Sequence, residues 1–194
     1  MKTYNQTTAA CYIYTFKKGL LSALAHDLKI QVFKFEIKTT GSTKDTADWK
    51  NIEARFDAAS LRTVCAMKDG ARSPAKLSDQ DKRDIDRNII NAVLHSQEFP
   101  GITFRSSSIT RRKSGVVIKG ALTICGQTRT ITLPVQELNT CYRSELVIDQ
   151  RDFGIQPFSA LMGAMQIKPE IIVRIELGKV TAKAPLSEHC PTDP

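Results

Sequence analysis

The sequence predicts a mostly antiparallel, all-β-dominated domain, closed into an eight-stranded β-barrel with one surface α-helix. Three observations predict it. Eight runs of alternating or β-rich residues are separated by turn residues. Only Leu77 to Ser96 carries its apolar residues at helical spacing. Eight long antiparallel strands left as an open sheet would also expose two edges, which closure into a barrel removes.

Cys11 to Phe16 is the first strand. Asp27 to Lys38 is the second, and its parity changes partway. Leu28, Ile30 and Val32 share one face, then Phe33, Phe35 and Ile37 share the other, so a bulge or bend is expected near Val32–Phe33. Thr39 to Ala47 is a polar loop. Trp49 to Asp57 is the third strand, with Ile52, Ala54 and Phe56 on one side. Ala66 to Lys76, rich in small and charged residues, reads as a loop.

In Leu77 to Ser96, Ser78 with Asp81 matches a capping box, and Asp79 adds negative charge at the positive end of the helix dipole. Ile85, Ile89 and Val93 recur on one face, widened by Ile90 and Ala92. Four strands follow Phe99-Pro100-Gly101: Ile102 to Ile109, Gly115 to Ile124, Thr128 to Glu137 and Tyr142 to Asp149. Arg111-Arg112-Lys113 and Gly126-Gln127 read as hairpin links. Asp149 to Met165 is irregular, with Gly154, Pro157 and Gly163. Lys168 to Val180 is the last strand. Residues 1–180 form the barrel domain, and 181–194 a polar, proline-containing tail.

A chain of 194 residues suits one domain with a sizeable core. No stretch is long and apolar enough to cross a bilayer as a helix. The residues after Met1-Lys2 are polar where an export signal needs an apolar core, so the expected location is cytoplasmic. Cys11, Cys65, Cys125, Cys141 and Cys190 are odd in number and far apart, which points to thiols rather than a disulfide scaffold. The net charge of +8 is spread along the chain and accompanied by no nucleic-acid-binding motif, so no nucleic-acid partner is expected.

Four stretches resemble one known family, the YceI-like proteins. Phe16 to Val32 (FKKGLLSALAHDLKIQV) is similar to the strand–loop–strand of members that carry a His-Asp pair there. Phe99 to Ser107 (FPGITFRSS) is close to "FPxIxFxS", and Ile118 to Pro134 (IKGALTICGQTRTITLP) matches the "GxLTxxGxTxxxxLP" hairpin. Ile148 to Ile155 (IDQRDFGI) is similar to the "IDRxDFGI" turn, with a departure at Gln150. The resemblance implies a lipocalin-like barrel with a central cavity that binds a polyisoprenoid or other long-chain, fatty-acid-like lipid. The best-known relatives are exported, whereas no signal is read here, so the ligand is expected to differ.

The candidate lining of such a cavity is Leu28, Ile30, Val32, Phe104, Leu122, Ile124, Leu146 and Ile148, each of which also suits a plain core. Phe158, Leu161, Met162 and Met165 lie in a glycine-containing segment that fits either an adaptable ligand mouth or a lid. His26 shares parity with Leu28 and Ile30 and would face inward, to hold a head group or as a structural histidine. A Ser22–His26–Asp27 triad is disfavoured, because adjacent strand residues point to opposite faces. Lys17, Lys18, Arg105 and Arg129 could neutralise an anionic head group at the mouth, or be solvated. His95 and His189 fall at the helix end and in the tail. No ligand spacing for a metal is present, and no cofactor is expected.

Three functions compete: a non-catalytic lipid carrier, a solid-barrel interaction module that could be a homodimer, and an enzyme using His26 as acid or base. An eight-stranded barrel can be filled by side chains or hold one ligand, so its interior decides between them.

Overall fold

The computed structural model describes residues 1–18, 26–41, 49–73, 77–160, 162 and 165–179. The expectations for Ser22, Leu161, Gly163, His189, Cys190 and the tail lie outside these residues.

The barrel wall is a ring of antiparallel pairings. In chain order its strands are β1 (Lys2–Tyr4), β2 (Ala9–Thr15), β4 (Asp27–Val32), β5 (Phe35–Thr40), β6 (Asn51–Asp57), β7 (Leu61–Lys68) and β8 (Ala71–Arg72). Then come β9 (Gly101–Arg112), β10 (Gly115–Ile124), β11 (Gln127–Glu137), β12 (Cys141–Asp149) and β15 (Glu170–Gly178). The short strands β3 (Lys17–Lys18), β13 (Ser159–Ala160) and β14 (Met165–Ile167) form a separate small sheet.

The order β5-β6-β9-β10-β11-β12-β15-β2-β4 returns to its start, because β4 and β5 are two halves of one bent strand. The bend is at Phe33–Lys34, where the sequence parity changes. There Phe33 N donates to Ser60 O at 3.1 Å, and Lys34 O accepts from Asp57 N at 2.9 Å. Counting that bent strand once, the ring has the expected eight members. Its first half pairs with β2 and its second with β6.

One joint of the ring is incomplete. The ladder between β11 and β12 covers only Val135–Glu137 against Tyr142–Ser144. It stops next to Pro134, which has no N–H to give to a ladder. Beyond Pro134 the two strands share no further ladder pairs. On the other side of β12 the pairing with β15 is complete and is braced on the outer face by two cross-strand ion pairs, Arg143–Glu176 and Arg174–Glu145, each at 2.9 Å.

Three expectations need correction. Ala66 to Lys76 is not simply a loop: β7 runs to Lys68 and turns through Asp69–Gly70 into β8. Both turn residues have positive φ, 51° and 79°, as a two-residue type I′ hairpin requires. The strand is hard to read because Val64 is extra: Cys65 pairs with Lys29 but Thr63 with Ile30, so the alternation breaks inside it. Arg111 and Arg112 belong to β9 rather than to its turn. Asp149 to Met165 contains a 3-10 turn at Gln150–Phe153 and the short β13.

The helix begins as expected. Ser78 Oγ accepts from Asp81 N, and the Asp81 carboxylate accepts from Ser78 N at 2.9 Å. The regular part, α1 (Asp79–Asn88), continues into a wider π turn at Ile89–Val93. Asp86 fastens α1 to the barrel. Its Oδ1 accepts from both Thr63 N and Thr63 Oγ1 at 2.7 Å, beside the β7 bulge. Asp86→Ala is therefore expected to cost about 2 kcal/mol, because it leaves a strand N–H and a hydroxyl without their acceptor. Asp86→Asn, which keeps an oxygen there, is expected to recover most of that loss in urea melts. Among the described residues no helix is long and apolar enough to cross a membrane.

Candidate functional site

The inward side chains of the wall do not fill the barrel. They enclose a cavity of about 640 Å³. This falls within the roughly 300–1,000 Å³ typical of small-molecule sites. The solid-barrel alternative is thereby overturned. The reason lies in the residues chosen: one turn of the wall carries Ala54, Cys11 and Ser144, which are too short to meet across an eight-stranded barrel.

One end is plugged by aromatic residues. Trp49 and Tyr142 meet edge-to-face with centroids 5.2 Å apart. Tyr4 is 1 % exposed, and burial with Tyr142 close by pushes its hydroxyl pKa up to about 12. The opposite end is the mouth. There Thr15, Ile124, Ile148 and Ile102 reach the ends of their strands, and Ile85, Ile89, Val93 and Leu94 form a roof over them. Cys125 Sγ donates to Leu94 O at 3.4 Å, tying the end of the roof to the β10–β11 hairpin.

The wall is apolar almost throughout. Leu28, Ile30, Val32, Phe104, Leu122, Ile124, Leu146 and Ile148 all line the cavity, as their parity predicts. Phe158 joins them. Met162 does not: it stands fully exposed at a positive φ of 54°, because the residue lies at the tip between β13 and β14. Met165 contributes its backbone to β14. The wall also includes Cys11 and Ile13 of β2, whose other face carries Tyr12 and Tyr14, and Val173 and Ile175 of β15, which alternate against Ile172, Arg174 and Glu176. Burial pushes the Cys11 thiol up to about 12.

Polar lining residues gather at the mouth: Thr15, His26, Asp81, Asp84, Asn88, Gln150 and Gln166. Three of these come from the polar shoulder of α1, next to its apolar stripe. His26 is half-buried and faces the cavity, as its parity predicts. The Asp81 carboxyl is held below its ordinary range, first by the Ser78 hydroxyl and N–H and further by His26 nearby. Asp27 is turned away from His26, and its Oδ1 accepts from Lys17 N at 2.8 Å. The basic residues weighed for an anionic head group are not on the lining. Arg105 pairs with Glu53 at 3.2 Å on the outer face, Arg129 is exposed, and Lys17 and Lys18 lie in β3. Among the described residues no group of three or more His, Cys, Asp or Glu side chains is placed to hold a metal ion.

A family profile described as the YceI-like domain matches residues 16–178. No curated protein matches the sequence. Among solved structures, the chain is similar to BcnA of Burkholderia cenocepacia, with a TM-score of 0.61 at 17% identity, over 88% of this chain and 95% of that one. It is also similar to the YCEI protein of Campylobacter jejuni, with a TM-score of 0.55 at 12% identity, over 80% and 86% of the two chains. A polyisoprenoid binding domain from Saccharophagus degradans, implicated in plant cell wall breakdown, is similar with a TM-score of 0.52 at 12% identity, over 89% and 93%. At such identities the likeness is one of fold.

Proposed function

Because this chain belongs to the family of YceI-like domains, we propose that it is a non-catalytic binder of one long apolar or amphiphilic molecule, a polyisoprenoid or similar lipid, carried inside the barrel. The observation that carries this reading is the cavity of about 640 Å³, plugged by aromatic residues at one end, with most of its polar lining at the other and an almost wholly apolar wall between. A long chain gains about 0.8 kcal/mol for each methylene it buries there. Roughly ten methylenes give about 8 kcal/mol, enough for micromolar binding before ordering costs. The neighbour from Saccharophagus degradans, a polyisoprenoid binding domain of the same fold, supports the ligand class.

The charges at the mouth refine the head group. Asp81 and Asp84 line it, and no lysine or arginine is among the lining residues described. This favours an uncharged head group that donates hydrogen bonds over a pyrophosphate. The reading is binding rather than turnover. The Cys11 thiol on the wall is held protonated and so is a poor nucleophile, and Ser144 Oγ has no base within hydrogen-bonding reach.

Native mass spectrometry of the purified protein, followed by organic extraction, tests this. The expected result is one long-chain lipid per barrel, or uptake of one geranylgeraniol per barrel by protein purified empty. Protein that is empty and takes up neither geranylgeraniol nor a long-chain alcohol would overturn the reading.

A further inference from the structure

The mouth has two unlike rims. On one side α1 brings Asp81 and Asp84 to it. On the other, the small sheet carries the chain past the mouth. There β3 follows β2 just beyond Thr15, and β14 leads back into β15. Phe158, Gln166 and Ile167 at the base of this sheet line the cavity. Its far end reaches Met162, which stands fully exposed between β13 and β14.

This second rim is basic. Lys17 and Lys18 of β3 lie opposite Ile167 and Gln166. Lys168 follows β14, and its N–H donates to Phe16 O at 2.7 Å, which holds it in the same patch. Lys18 and Lys168 are exposed. The carboxylates nearby are engaged elsewhere: Asp27 accepts from Lys17 N, and Asp149 and Glu170 lie against Arg151. On the outer wall below the rim Val147 is 63 % exposed, next to a half-buried Ile172.

One exposed apolar side chain on a surface is ordinary. Here two accompany three lysines at the mouth of a cavity suited to a long chain. Apolar tips among lysines seat well in the interfacial layer of an anionic bilayer, the tips at the acyl boundary and the ammonium groups on the lipid phosphates. We propose that this rim docks the barrel, mouth first, on an anionic phospholipid bilayer. Asp81 and Asp84 on the opposite rim are repelled by the same surface, so the barrel leans on its small sheet. A long-chain lipid partitions into bilayers, and docking brings the cavity to it. Few anchors keep the docking reversible, since each lysine near such a surface contributes about fivefold in affinity.

Sedimentation of the full chain with vesicles at low salt tests this. Vesicles of phosphatidylcholine mixed with phosphatidylglycerol are expected to bind it about a hundredfold more tightly than phosphatidylcholine alone, from three lysines. Lys18→Gln with Lys168→Gln is expected to weaken that binding about thirtyfold. Met162→Asp is expected to weaken it roughly tenfold. Arg112→Gln with Lys113→Gln removes the same charge from the β9–β10 hairpin at the plugged end, and is expected to leave it nearly unchanged. All these side chains are exposed, so thermal melts of the variants are expected to match the native protein. Equal binding to both vesicles, binding that survives the lysine and methionine changes, or an equal loss in the hairpin variant overturns the inference. So does a dimer in native mass spectrometry that Met162→Asp dissociates, since the patch is then a contact between two copies. Geranylgeraniol uptake without vesicles separates the two readings. Uptake by protein that binds neither vesicle overturns docking and leaves the carrier reading intact; docking without uptake does the reverse.

Discussion

Ala54→Trp is expected to weaken chain binding by about a hundredfold while the barrel still folds. Ala54 lies on β6 between Ile37 and Phe104, 9 % exposed, with its methyl group on the cavity wall. An indole there points into space that no side chain of the native protein occupies. It displaces about four methylenes of any occupant, a loss of roughly 3 kcal/mol or about a hundredfold in affinity. Overpacking normally costs about 1–3 kcal/mol because neighbours must move, but here the void takes up the added volume. Thermal melts of the empty variant are therefore expected within a few degrees of the native protein. Geranylgeraniol titration reads the binding, and native affinity in this variant would mean that the ligand does not occupy the interior.

Gly120→Val is expected to do the reverse, damaging the fold first. Gly120 lies on β10 at a register shift: Lys119 pairs with Ser108 but Gly120 with Ser106, leaving Ser107 as an extra residue on β9. A Cβ at Gly120 would sit 2.5 Å from the Arg105 carbonyl oxygen and 2.5 Å from Cζ of Phe104. The first neighbour is backbone and the second a buried ring, so neither can give cheaply. The expected loss is about 3 kcal/mol, at the upper end for overpacking. In a chain of this size that lowers Tm by about 6–12 °C. An unchanged Tm would show that β9 and β10 are looser here than their packing implies.

Most of the wall was legible because strands buried on one face alternate strictly, and β4 to β6 do so with a single change of parity at the bend. The same rule placed His26 and eight apolar residues on the cavity. It failed at Leu61–Lys68, where the Val64 bulge shifts the apolar residues between faces and the run loses its period. Ser144 was within reach, since it shares parity with Tyr142, Leu146 and Ile148; a serine in a strand is ordinarily read as solvent-facing, and that habit hid it. Whether the barrel is hollow was not legible. Void depends on how far side chains reach across a diameter, and alternation carries no information about what stands opposite. The exposure of Met162 likewise depends on a two-strand hairpin too short to leave a pattern.

The seam between β2 and β15 joins the first long strand of the chain to the last, Leu177 against Ala9 and Ile172 against Tyr14. Contacts so distant in sequence carry the largest loop-closure cost and are slow to form. During synthesis the domain therefore remains an unclosed sheet, with its apolar inner face bare, until the segment through Gly178 has left the ribosome. Cargo can be enclosed only after that moment. A chain stopped before Glu170 would have the mouth, the roof and most of the wall, and still no compartment.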